Sequence, residues 1–146
     1  MVPSGMVHAL EEVRRVLKPG GILIDIRPLN GQWQIEVISA LGAKETGHVD
    51  DFPEPLEADR ASNHAMKEVE ARGWFKRQQE EFFPFFYLWD TPSEMEEFVA
   101  EEWSDFIALG EAAKMATRSA WAIADADGRV QVRVKILITK WEVLKD

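Results

Sequence analysis

The N-terminal pattern predicts a helix followed by a short strand. Four apolar residues fall on one face of a helix over 4–18: Met6, Leu10, Val13 and Leu17. Pro19 ends that helix, and the glycine pair at 20–21 permits a sharp turn. The aliphatic run 22–27 predicts a strand covered on both faces, because it does not alternate with polar residues. Pro28, Asn30 and Gly31 are expected to end this strand.

Two weaker strands and a second helix are predicted next. Residues 33–39 and 44–50 form a hairpin in this interpretation, with a turn at 40–43 that contains one glycine. An acidic loop at 51–55 leads into a helix over 57–72, and Gly73 suits the position just after its C-terminus.

The segment 74–89 contains an unusually dense aromatic run. The stretch FFPFFYLW at 82–89 holds six aromatic residues in eight positions. It predicts one or two strands that are broken or bulged at Pro84, which cannot donate a ladder hydrogen bond. Alternation places Phe83, Phe85, Tyr87 and Trp89 on one face, opposite Phe82, Phe86 and Leu88. One face should meet a helical layer with Phe98, Trp103 and Phe106, and the other is core, pocket lining or a protein interface.

The C-terminal third predicts two helices and a long strand. Thr91, Pro92 and Glu94 form a capping box with proline at the first helical position. The helix that they open carries an apolar face from Met95 to Ile107, and a helix of small residues follows at 111–123. Residues 130–138 alternate between apolar and polar. We therefore expect one α+β domain over 1–146, with a mixed, largely antiparallel sheet of about four or five strands and about four helices.

Composition and charge narrow the function classes. The 146 residues carry a formal net charge of −9, which argues against nucleic acid or an anionic membrane as a partner. The chain has no cysteine, so it forms no disulfide and no thiolate metal site. No apolar run approaches the roughly 18 residues of a membrane helix, and no signal segment is recognisable. A cytoplasmic location is expected.

The segment Leu10 to Asp25, LEEVRRVLKPGGILID, resembles the joint before the fifth strand of class I S-adenosylmethionine-dependent methyltransferases. The resemblance implies a partial Rossmann-like fold. In that family a helix follows the fifth strand, and an antiparallel seventh strand is inserted between the fifth and the sixth. The helix at 57–72, the strand ending near Trp89 and the strand from Arg129 would fill these places. The hairpin at 33–50 and the helical segment at 91–124 would be insertions.

The cofactor half of that family has no counterpart in this sequence. The family holds S-adenosylmethionine with a glycine-rich loop and an acidic residue, whereas the nine glycines here include no G-x-G. Met1 falls where the family would be finishing its fourth strand. We therefore expect a methyltransferase-like truncated chain or remnant that binds no cofactor and is inactive by itself. The alternative is a non-enzymatic assembly module that forms a homodimer, pairs with a subunit supplying the missing half, or holds a small apolar ligand.

Three residues are candidates for substrate binding. The resemblance places Arg27 at the end of the strand that faces the reaction crevice, where it could bind an anionic group. Trp33 could line an apolar pocket, and Tyr87 belongs to the aromatic run. No catalytic residue and no metal site is predicted. The acidic residues of 50–59 suit a solvated loop and a helix N-terminus, although a cation or amine site there would favour a hydrolase or isomerase.

Overall fold

The computed structural model describes residues 3–145, with side chains from residue 5 onward. Within that range the chain forms four α-helices, one π-helical segment and six strands. In order they are α1 (Pro3–Val16), β1 (Ile22–Ser39), β2 (Gly42–His48), β3 (Asp50–Asp51), α2 (Pro53–Ala71), β4 (Phe75–Trp89), α3 (Pro92–Phe98), the π-helical segment (Val99–Trp103), β5 (Ile107–Ala108), α4 (Glu111–Ala122) and β6 (Arg129–Val143). None of the helices in this range is long and apolar enough to cross a bilayer.

The main sheet has four strands in the order β2-β1-β6-β4, and β3 pairs with β5 in a separate two-stranded sheet. β1 and β2 form an antiparallel hairpin, with Ser39 opposite Gly42. The α+β class, the mostly antiparallel sheet and the four helices confirm the expected architecture. Backbone contacts divide the chain into two compact units. The first comprises the chain up to Leu29, Leu56–Phe83 and the chain from Ile136, and the second comprises Asn30–Pro55 and Pro84–Lys135.

The first unit has its core where α1 and α2 meet the ends of β4 and β6. The buried side chains are Val7, Ala65, Met66, Val69, Phe75, Trp141 and Val143. The apolar face predicted for α1 packs against this cluster through Met6, Leu10, Val13 and Leu17. The amide of Gly21 donates to the carbonyl of Lys18 at 2.8 Å, which closes the turn between α1 and β1. Gly20 has φ +77°, a conformation that glycine adopts without strain.

The second unit buries a set of aliphatic and aromatic side chains. They include Ile35, Val37, Val49, Met95, Val99, Trp103, Ile107, Val130, Val132 and Val134. The capping box is confirmed, because the Thr91 hydroxyl accepts from the amide of Glu94 at 3.2 Å. The Glu94 carboxylate in turn accepts from the amide of Asp90 at 3.1 Å.

The expected end of the first strand was wrong. β1 runs through Pro28, Asn30 and Gly31 to Ser39, instead of ending after Arg27. β1 contains two irregularities: Gln32 has φ +53°, and the register of the pairing with β2 shifts between Ile35 and Glu36. Local turn formers therefore did not override the pairing available to the rest of the strand.

The expectation that this strand is covered on both faces was also wrong. Ile22, Ile24 and Ile26 are 43%, 48% and 58% exposed, whereas the alternate residues of β1 are half-buried. Its uninterrupted apolar sequence is therefore only partly explained by burial within the described chain.

Three other boundaries differ from the sequence predictions. β4 continues through Pro84 as one strand. α2 begins at Pro53 instead of Glu57, because prolines are tolerated in a first helical turn. The helix capped by Thr91 ends as an α-helix at Phe98 and continues as the π-helical segment, while Ile107 lies in β5.

Candidate functional site

Arg27 is held within the first unit by two side chains. Its Nε donates to both carboxylate oxygens of Asp25, at 3.1 and 3.0 Å, from two residues earlier in β1. Its Nη2 donates to the side-chain oxygen of Asn63 on α2 at 3.0 Å. The Arg27 side chain is 20% exposed, so the pair with Asp25 is largely shielded from water. These contacts fix the orientation of the guanidinium.

The third nitrogen of Arg27 is buried and has no acceptor. Among the described residues, Nη1 finds no hydrogen-bond partner although solvent does not reach it. A buried donor without an acceptor costs about 1–3 kcal/mol, and more when the group is charged. Arg27 therefore has unused hydrogen-bonding capacity at a place where its position is otherwise fixed.

Arg27 lines two cavities of the first unit. The cavity with the larger number of polar lining residues has a volume of about 280 Å³, and we call it the Arg27 cavity. Its charged lining residues are Arg27, Lys67, Glu70, Arg77 and Glu80, and its apolar lining residues are Leu29, Met66, Phe82, Leu137 and Trp141. A second cavity of about 290 Å³ lies among α1, α2 and the Asp25–Arg27 pair. The predicted anion-binding role of Arg27 stays a prediction, and the cavities are where such a ligand would sit.

Trp33 is a core residue of the second unit. Its ring is buried and packs edge-on against Trp103 at 5.2 Å and against Phe106 at 6.2 Å between ring centroids. The pocket-lining role predicted for Trp33 stays a prediction.

Tyr87 belongs to an aromatic cluster in the same unit. We define this cluster by Trp33, Phe85, Tyr87, Trp89, Phe98, Trp103 and Phe106. Tyr87 contacts Trp103 edge-on at 4.9 Å and stacks on Trp89 at 6.1 Å. The structure thus brings two of the predicted site residues, Trp33 and Tyr87, onto the same ring of Trp103. It also confirms that one face of the aromatic run meets Phe98 and Trp103.

The first residues of β1 form an exposed sheet edge. β1 lies between β2 and β6, and its pairing with β2 begins only at Gln34. Ile22–Ile26 therefore has no strand of the part of the chain described here on its β2 side. We call this segment, with its three exposed isoleucines, the β1 edge. Unpaired strand edges with exposed apolar side chains are prone to pair with other strands.

The remaining polar groups do not assemble into a recognisable catalytic site. Among residues 3–145, no three His, Asp or Glu side chains are placed to hold a metal ion. Within the acidic run, Asp51 accepts from the amide of Gln32 at 2.7 Å, which is a structural role. The contribution of Asn63 to the Arg27 site had no signal in the sequence. Asp25 did have one, as a lone carboxylate in an aliphatic strand two residues before Arg27.

The adjacent glycines at 20–21 do not form the glycine-rich loop that holds S-adenosylmethionine in the family. The adjacent pair Gly20–Gly21 serves the turn after α1, where a Cβ on Gly21 would lie 2.9 Å from the carbonyl oxygen of Lys18. Gly21 therefore packs against the turn that follows α1, whereas the nearest atom to a Cβ on Gly20 would be Oε1 of Glu142, at 4.0 Å.

No protein-family model, no curated protein and no solved structure matches this chain.

Proposed function

We propose that this chain is the C-terminal half of a class I methyltransferase fold and acts together with a half that binds S-adenosylmethionine. By itself it is inactive and binds no cofactor. The cofactor half is either a further part of the same polypeptide or a separate subunit.

The observation that carries the proposal is the position of β6 in the sheet. β6 lies between β1 and β4 in the sheet. In the resemblance, β1 represents the fifth strand of the family, β4 the sixth and β6 the seventh. Val143 exchanges backbone hydrogen bonds with Gly20 and Gly21 before β1, and Leu144 donates to Trp74 before β4. The end of β6 thus meets the beginnings of both neighbours, as in an antiparallel strand. This is the arrangement that the resemblance implies for the fifth, seventh and sixth strands.

The β1 edge supports the proposal independently. In the family the fourth strand pairs with the fifth, which β1 would represent. The β1 edge has open backbone groups on that side, and Ile22, Ile24 and Ile26 expose apolar surface that a further layer would bury. A cofactor half docked there would account for both features.

The contribution of this chain would be structural and steric. In methyl transfer, much of the rate comes from holding the acceptor in line with the methyl group. The described residues offer no signature base, so we assign no catalytic residue to this chain.

The test is capture on immobilised S-adenosylhomocysteine. A tagged chain, expressed from its own locus in the cells it comes from, is applied to the matrix as a cell extract and as purified protein. We expect retention from the extract and none for the purified chain. If the cofactor half is a separate subunit, the variant Ile24→Lys, which places a charge on the β1 edge, should lose retention from the extract. Leu41→Lys, at an exposed position of the β1–β2 turn, is the matched control and should be retained.

Two outcomes contradict the proposal. Retention of the purified chain would mean that it has a cofactor site of its own. Absence of retention in both samples would remove the methyltransferase assignment.

A homodimer is the second candidate function, and the same edge favours it. Antiparallel pairing of the β1 edge with a copy of itself, centred on Ile24, would place Ile22 opposite Ile26 of the second copy. Sedimentation velocity distinguishes this case, because purified protein would be dimeric and Ile24→Lys monomeric. A monomer at all accessible concentrations excludes it.

A further inference from the structure

We propose that the Arg27 cavity binds a small molecule with an anionic head and an apolar body. The head would accept hydrogen bonds from Nη1 of Arg27, and the body would lie against the apolar wall. This inference concerns the first unit alone and does not depend on the methyltransferase proposal.

Lys67 adds a second positive group to the lining. Arg77 pairs with Glu80 at 3.1 Å, and Arg27 pairs with Asp25 at 3.0 Å. The other charged lining residues are Lys67 and Glu70, which form no ion pair within the described residues. Lys67 is therefore the lining cation that can add to the binding of an anionic head.

The geometry of Arg27 supports the same assignment. Asp25 and Asn63 occupy Nε and Nη2, so the guanidinium cannot turn without breaking three hydrogen bonds. Its remaining nitrogen is buried without an acceptor among the described residues. A guanidinium held in this way is pre-organised for an oxyanion, because its N–H groups match carboxylate and phosphate oxygens.

The wall of the cavity favours an apolar body. Leu137 and Trp141 of β6 and Met66 of α2 are buried side chains that line it. Small-molecule sites are mostly apolar pockets with a few convergent polar groups, and their volumes range over roughly 300–1,000 Å³. At about 280 Å³ the Arg27 cavity suits a compact ligand.

The test is isothermal titration of the full chain with three probes of similar shape. The probes are 3-phenylpropionate, phenyl phosphate and the neutral 3-phenylpropanamide. We expect both anions to bind more tightly than the amide, and their order would tell a carboxylate site from a phosphate site. Arg27→Gln should weaken binding of the better anion about tenfold or more. Lys67→Gln, at an exposed position, should weaken it about two- to fivefold.

Arg60→Gln is the matched control, since it removes the same charge from an exposed position of α2. It should leave affinity unchanged. Thermal unfolding of each variant establishes whether it is folded. If Arg27→Gln is not folded, Lys67→Gln and the comparison with the amide still test the inference. Equal affinity for anion and amide, an Arg60→Gln effect as large as that of Lys67→Gln, or no binding of either anion would overturn the inference.

Discussion

Trp103 should be the residue on which the second unit depends most. Its side chain is 6% exposed and lies at the centre of the aromatic cluster. Its ring meets Trp33, Tyr87 and Phe98 edge-on, with centroid distances of 5.2, 4.9 and 5.2 Å. Trp89 and Phe106 complete the surroundings at 6.1 and 6.4 Å. Replacement by alanine would remove all five ring contacts and leave a cavity beneath β4.

The expected loss can be estimated from these contacts. Truncating a buried tryptophan to alanine costs about 3–5 kcal/mol through lost transfer energy and the cavity that remains. Each edge-to-face pair adds about 0.5–1.5 kcal/mol beyond burial, and pairs that share one ring are not additive. We therefore expect Trp103→Ala to lower the free energy of unfolding by about 4–5 kcal/mol. With an m-value of about 2 kcal/mol per molar, the urea midpoint would fall by about 2 M.

Urea unfolding followed by far-ultraviolet circular dichroism measures this difference. The matched control is Phe86→Ala, an aromatic truncation on the face of β4 opposite Tyr87. Phe86 is exposed and contacts the Arg133 guanidinium at 5.2 Å, so its loss should cost only about 1 kcal/mol. If Trp103→Ala were no more destabilising than Phe86→Ala, the reasoning about the aromatic cluster would be refuted.

Three further predictions concern local structure. Gly21→Ala should lower the free energy of unfolding by about 1–3 kcal/mol, measured by thermal unfolding, because its Cβ would clash with the carbonyl oxygen of Lys18. The control Gly31→Ala places its Cβ in open space and should be nearly neutral. Equal effects of the two substitutions would contradict this reasoning. Thr91→Ala should cost about 1 kcal/mol by removing the cap, and serine at that position should restore most of it. Hydrogen bonds from Arg118 lower the pKa of the Glu96 carboxyl below its ordinary 4.5, despite opposing desolvation. The resulting stabilisation is complete above pH 4.5 and is lost as the pH falls through the lowered pKa. Glu96→Gln should therefore show a smaller loss of urea midpoint than the native protein as the pH is lowered below 4.5. Identical acid profiles would argue against the pair.

Short-range patterns in the sequence were sufficient for several elements. The apolar face of α1, the capping box at Thr91 and the helix from Glu111 follow from residue spacings and capping chemistry that act within one or two turns. The sharp turn before β1 follows from Lys18-Pro19-Gly20-Gly21 for the same reason. The α+β class could be predicted because each of these segments favours one type of secondary structure.

Elements whose limits depend on pairing were not predictable in the same way. β1 and β4 pass through Pro28 and Pro84, each at a place where one side of its strand is unpaired within the described chain, and proline is tolerated at such edges. The sequence contains no local signal for the length of such a strand. The π-helical segment is another case, since the apolar pattern from Met95 to Ile107 also suits a continuous α-helix.

The candidate site also combines residues that the sequence could single out with contacts that depend on long-range packing. Arg27 could be singled out from the sequence because it is a charged residue at the end of an aliphatic run, a place that the resemblance assigns to the reaction crevice. Its contact with Asn63 lies 36 positions away along the chain, and its unsatisfied Nη1 exists only once α2 covers β1. Trp33 was a candidate from its position shortly after Arg27, and Tyr87 was one from the aromatic run. Their common contact with Trp103 depends on chain packing.

What the sequence alone determined is the set of helices, turns and strand-forming segments, because these depend on interactions between near neighbours. The tertiary structure decided the strand order β2-β1-β6-β4, the open β1 edge and the groups that surround Arg27. These features join residues that are far apart in the chain, and long-range contacts form only when buried surface and paired backbone offset the entropy of closing the intervening loops.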